Sequence, residues 1–149
     1  MSANCPDCGA LLEEGTDCQS IFDTFLVLEF SDPGYGEVHM LSVACFMIQH
    51  GRYSDEALVW IEQKLRAYLK EGLAPETIRR QASHQVSQST RNWKVTRQPG
   101  TKPLPKITWS MTIADIASQY QDASSYRDLV TQWARTTLRE MKPLTHRQL

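Results

Sequence analysis

Apolar positions recur at helical spacing along most of the chain. The first run holds Ile21, Phe22, Phe25, Leu26, Leu28 and Phe30. Thr16 and Asp17 precede it, and either side chain can accept from a first-turn amide, so a helix is predicted to start there. Ser31-Asp32-Pro33-Gly34-Tyr35-Gly36 is predicted to stop it. Pro33 disfavours helix at Asp32, and two glycines permit a tight reversal. A second helix is predicted from about Glu37 to His50, closed by Gly51. Val38, Leu41, Cys45 and Ile48 form one stripe on it, and His39, Val43, Phe46 and His50 the adjacent one. Met40, Ala44 and Met47 add apolar surface elsewhere, which predicts a central, surrounded helix.

Ser54, followed by Asp55 and Glu56, caps a third predicted helix that runs to about Glu71 and closes at Gly72. Leu58, Ile61, Leu65 and Tyr68 or Leu69 would face inward. Pro75 suits the first position of a fourth helix, 75–89, which is mostly polar with a thin stripe of Ile78, Ala82 and Val86. The pattern changes over 90–111. Trp93 to Thr96 and Ile107 to Trp109 fit short strands or an ordered loop, and QPGTKPLP between them cannot hold a helix. Thr112 with Asp115 resembles a capping box for a short helix. The last helix, 123–141, has the clearest pattern. Tyr126, Leu129, Val130, Trp133, Ala134, Thr137, Leu138 and Met141 share one face, and Arg127, Asp128, Gln132, Arg135 and Arg139 the other. The fold expected is mainly α: a single domain over 1–149, a compact bundle of five or six helices, with a short irregular or β-like segment near 93–109.

Composition agrees with a folded chain: 41% of residues are hydrophobic and 22% charged. No apolar run reaches the roughly 18 residues of a membrane-spanning helix. The start, MSANCPDC, has neither a basic region nor an apolar stretch, which predicts no secretory signal and a cytoplasmic protein with reduced thiols. In that compartment closely spaced cysteines serve metal or redox chemistry more often than disulfides.

The net charge of −1 hides an asymmetry. Residues 1–62 hold eleven Asp/Glu against Arg52 alone, a net of −10; residues 63–149 hold fifteen Lys/Arg against six Asp/Glu, a net of +9. Two halves of opposite sign can neutralise each other by packing. Alternatively the basic half can face an anionic partner such as nucleic acid. Arg79, Arg80, Arg91, Lys94, Arg97, Lys102 and Lys106, with Trp93 and Trp109 among them, could contact phosphates and stack on bases. The plainer expectation is a solvated loop whose tryptophans anchor it to the core, because no recognised nucleic-acid motif is present.

Three of the four cysteines lie in NCPDCGALLEEGTDCQ. Cys5-Pro6-Asp7-Cys8-Gly9 has the spacing that lets two thiolates reach one ion, with a turn that can aim amides at the sulfurs. Cys18 follows at the predicted start of the first helix, where the helix dipole favours a thiolate. A closed site needs a fourth ligand, and Cys45, His39, His50 and His84 are the candidates. In an antiparallel hairpin turning at 32–36, facing residue numbers sum to about 68. Cys18 then faces His50. Cys45 lies about 7 Å further along, and His39, facing Glu29, about 16 Å. Metal–ligand bonds of little more than 2 Å exclude both, while His84 on a separate helix stays open. Cys45, on an apolar stripe, reads as a buried structural thiol. The expected site is therefore zinc held by Cys5, Cys8, Cys18 and His50, tying the loop 1–18 to the hairpin 18–50.

Glu29, Asp32, Tyr35 and His39 converge near the hairpin turn. They could form an acid–base or metal cluster, although the plainer expectation is that Asp32 caps the turn and His39 donates to it. His39 and His50 lie three turns apart and cannot share an ion. No G-x-S-x-G, H-E-x-x-H, P-loop or dinucleotide fingerprint occurs.

FSDPGYGEVHMLSVACFMIQH, with CPDCG and CQSIFD upstream, resembles an uncharacterised bacterial domain-of-unknown-function family. TIADI and YRDLVTQWA are similar to its C-terminal part. By that resemblance Asp32, Tyr35, Gly36, His39 and His50 belong to the family pattern, and the presence of both histidines leaves the fourth ligand open between them. The resemblance implies no activity. The expected function is a non-catalytic module that binds a protein or nucleic acid, with structural zinc. The alternatives are a metal-dependent hydrolase-like enzyme using Asp32 and His39, and a thiol-based redox or zinc sensor using Cys5, Cys8 and Cys18.

Overall fold

A computed structural model of the chain describes residues 3–71 and 94–146. It is mainly helical, with one small sheet. In chain order the elements are strands β1 (Ala3–Asn4) and β2 (Leu11–Leu12), then helices α1 (Cys18–Ser31), α2 (Pro33–Gly36), α3 (His39–Gln49), α4 (Asp55–Glu71), α5 (Ile113–Gln119), α6 (Ala123–Glu140) and α7 (Lys142–Thr145). Of these seven described helices, α2 and α7 are single turns beyond the five or six expected. The predicted helix 75–89, with Arg79, Arg80, His84, Arg91 and Trp93, lies outside the described residues.

Side chains set the helix starts. Asp17 accepts from the Ser20 amide at 2.7 Å and opens α1; Asp122 accepts from the Ser125 amide at 2.8 Å and opens α6. Ser54 Oγ accepts from the Ala57 amide at 3.1 Å at the head of α4. Each removes an unpaired amide that the helix itself cannot satisfy.

The predicted stop at 31–36 is itself a helical turn. Pro33 occupies the first position of α2, and Asp32 accepts from the Gly34 amide at 2.8 Å. Proline is pre-set for that position and its missing N–H is no loss there. A Cβ at Gly36 would stand 2.6 Å from the Glu29 carbonyl oxygen, so only glycine lets α2 approach α1 this closely.

Pairing between α1 and α3 follows the predicted register at three levels. Phe22 stacks on Phe46 with ring centroids 4.1 Å apart and planes within 1°. Glu29 meets His39 at 2.7 Å, and Cys18 shares a cluster with His50. The numbers sum to 68 in each case. α3 packs most heavily on α6, whose buried face includes Tyr126, Val130, Trp133, Ala134 and Thr137. This gives α3 the central position its pattern predicted.

The segment after residue 93 is an ordered loop that bridges back through Thr96 to Tyr53. The Ser54 amide donates to Val95 and the Arg97 amide to Arg52. Trp109 is buried and anchors the far end. Among the described residues, ion pairs that cross between the acidic and basic halves include Arg97 with Asp55 at 2.8 Å and Arg127 with Glu37 at 3.4 Å. No helix among the described residues is long and apolar enough to cross a membrane.

Candidate metal centre

β1 and β2 pair antiparallel, Ala3 with Leu12 and Asn4 with Leu11, and the Cys5 amide extends the ladder to Ala10 O at 2.8 Å. The cysteine loop is thus the tip of a small hairpin, a frame that the sequence pattern did not predict. Its signal was slight: two strands of two residues each. The Gly9 amide donates to Cys5 O at 3.0 Å, and Gly9 has φ +80°, which closes the tight turn. Cys5 and Cys8 are thereby buried and aimed at the open end of the α1–α3 pair.

Two helix ends meet them there. Cys18 is the first residue of α1, and His50 follows the last residue of α3. Ligand-capable atoms of Cys5, Cys8, Cys18 and His50 all lie within 4.8 Å of one another. Cys8 Sγ is 3.7 Å from Cys18 Sγ, and Cys5 Sγ is 3.7 Å from His50 Nε2. His50 Nδ1 donates to Phe46 O at 2.8 Å, which leaves Nε2 with its lone pair facing the sulfurs. The ring also lies against Phe46, centroids 4.3 Å apart. In the metal-free chain the hydrogen bond with Cys18 holds the Cys8 thiol far below its ordinary range; burial opposes this and His50 assists. The same bond and burial push the Cys18 thiol far up. Such a set of soft donors around one point can hold a metal ion.

Cys45 is not part of this cluster. It is fully buried in α3, and burial pushes its thiol up to about 12, with Thr137 in opposition. His39 sits at the other end of α3 and also lies outside the cluster.

The turn-end residues divide differently from the expectation. Asp32 caps α2, but His39 does not donate to that turn: its Nδ1 is 2.7 Å from Glu29 Oε1. Helical phase explains why. Cys18, Phe22, Phe25 and Glu29 are the buried positions of α1, so Glu29 points inward while Phe30 points out. Two further residues, neither read from the sequence as a site residue, complete the site. Ser42 donates to Glu29 Oε2 at 2.7 Å, and the Tyr126 hydroxyl donates to the same oxygen. Burial, with Glu29 alongside, raises the Tyr126 phenol well above its ordinary range, so it remains a donor. A polar Ser42 in an apolar helix was the one available signal.

The chain belongs to a family of unknown function (DUF5946), whose model matches residues 3–142. No curated protein and no solved structure matches it.

Proposed function

We propose that Cys5, Cys8, Cys18 and His50 hold one zinc ion as a structural centre, and that the chain is a single-domain binding or regulatory module. Spacing carries the reading. Tetrahedral zinc with Zn–S bonds of about 2.3 Å sets its sulfurs about 3.8 Å apart. The Cys8–Cys18 and Cys5–His50 separations are both 3.7 Å. Three thiolates and an imidazole fill all four positions, leaving none for a reacting water. The ion would replace a core that the loop lacks: of residues 3–17, only Cys5, Cys8, Ala10 and Leu12 are buried. A reducing compartment such as the cytoplasm suits these thiolates.

The partner is proposed from charge: a protein or nucleic acid meeting the basic stretch 79–106, whose described part carries Lys94, Arg97, Lys102 and Lys106. Arg97 is already engaged, donating to Asp55 and to the Lys102 carbonyl.

Elemental analysis of purified protein tests the centre. One zinc per chain is expected, retained by His39→Ala and lost by His50→Ala. Metal retained without His50, or absent from the wild-type chain refolded in zinc, would overturn it.

A further inference from the structure

We propose that His39 is a catalytic residue for acyl transfer from small apolar esters, with Glu29 as its positioning residue. The Glu29 carboxylate is wholly buried on its side chain, yet the ring it holds is 32% exposed. His39 Nδ1 is engaged by Glu29, which leaves Nε2 as the nitrogen with no hydrogen-bond partner among the described residues. A carboxylate that accepts Nδ1–H fixes the tautomer with the lone pair on Nε2 and stabilises the cation formed when Nε2 reacts. Ser42 and Tyr126 hold Glu29 from two other directions, so the pair is set before any ligand arrives.

Two features surround Nε2. His39 is the first residue of α3, and Val38 at its N-cap offers the first-turn amides no side-chain acceptor. The positive end of α3 therefore lies at the residue that carries the imidazole. Beside the imidazole, 4.9 Å between centroids, lies the Phe30 ring, 75% exposed; Val27, one turn earlier on α1, is 65% exposed. An apolar acyl or aryl group can lie on that face. These features favour an ester over a charged phosphate compound.

In the proposed step Nε2 attacks the ester carbonyl carbon and the bond to the leaving alkoxide or aryloxide breaks. The acyl group stays on Nε2, and the Nδ1 proton remains in its bond to Glu29. Water then attacks the acyl carbon and the C–Nε2 bond breaks. One water proton stays on the released carboxylic acid, the other passes through solvent to the departed alkoxide or aryloxide, and the neutral imidazole is regenerated.

The test uses the full, metal-loaded chain with 4-nitrophenyl acetate and 4-nitrophenyl butyrate. Release of 4-nitrophenolate should exceed that from equimolar N-acetylhistidine and fall about 10²-fold in His39→Gln. Glu29→Gln should shift the pH–rate profile as well as lower the rate. Phe30→Ala, an exposed change, should raise KM for the butyrate more than for the acetate. Wild-type rates no greater than N-acetylhistidine, or a His39→Gln chain as fast as wild type, would overturn the proposal. If Glu29→Gln fails to fold, the two surface variants decide it alone. Metal content is read in parallel, so failure here leaves the zinc reading standing.

Discussion

The two ends of the α1–α3 pair solve opposite electrostatic problems. At the turn end one buried carboxylate meets three donors, from His39, Ser42 and Tyr126, all supplied by the chain. At the open end three sulfurs and an imidazole nitrogen converge within 4.8 Å, and the Cys8 and Cys18 sulfurs share a hydrogen bond in the metal-free chain. The first arrangement is complete in itself. The second could hold a cation, which would relieve the repulsion between thiolates brought this close. The pair therefore carries a histidine at each end, one held by a carboxylate of the chain and the other facing sulfurs that could hold a metal ion.

The largest effect should separate the ends most sharply. Cys8→Ser should abolish metal binding and release the loop, since structural zinc sites contribute roughly 10–16 kcal/mol of apparent binding free energy in small domains. Hydrogen exchange at the Cys5 and Gly9 amides should rise, while amides of α6 near Tyr126 stay protected. Acid should act in the same direction. Each thiolate must lose its proton to bind, so metal affinity falls as pH falls, and a pH-independent affinity would contradict thiolate ligation.

Glu29→Ala comes next. It removes the shared acceptor of Tyr126, Ser42 and the part-exposed His39 and should cost about 1–3 kcal/mol in urea denaturation, with zinc content unchanged. Loss of metal in this variant would show that the two ends are coupled. The smallest expected effect is Gly36→Ala, about 1–3 kcal/mol from overpacking against the Glu29 carbonyl. It should disturb the His39 resonances in NMR and leave those of His50 in place.

Much of this arrangement was legible from residue spacing. The hairpin register placed Cys18 against His50 and Glu29 against His39 because both helices present period-3.6 stripes and one short turn joins them. The caps at Asp17 and Ser54 and the face of α6 followed from equally local rules. What spacing could not show was long-range polar pairing. Tyr126 reads as one more core aromatic on an apolar face, and only folding brings its hydroxyl to Glu29. Phe30 misled for a related reason: residue type places it with the apolar run, but helix phase turns it outward and turns Glu29 in toward its donors. The turn at 31–36 read as a breaker because Pro33 ends one helix as readily as it starts the next.

Cys45 gives the molecule an internal reference for counting thiols. It is sealed between α3 and Thr137 of α6, while its three relatives sit where loop and hairpin meet. An alkylating reagent applied to chelator-treated but folded protein would label three sulfurs. The fourth becomes reachable only when α3 and α6 part, so one mass spectrum distinguishes an opened loop from an unfolded chain.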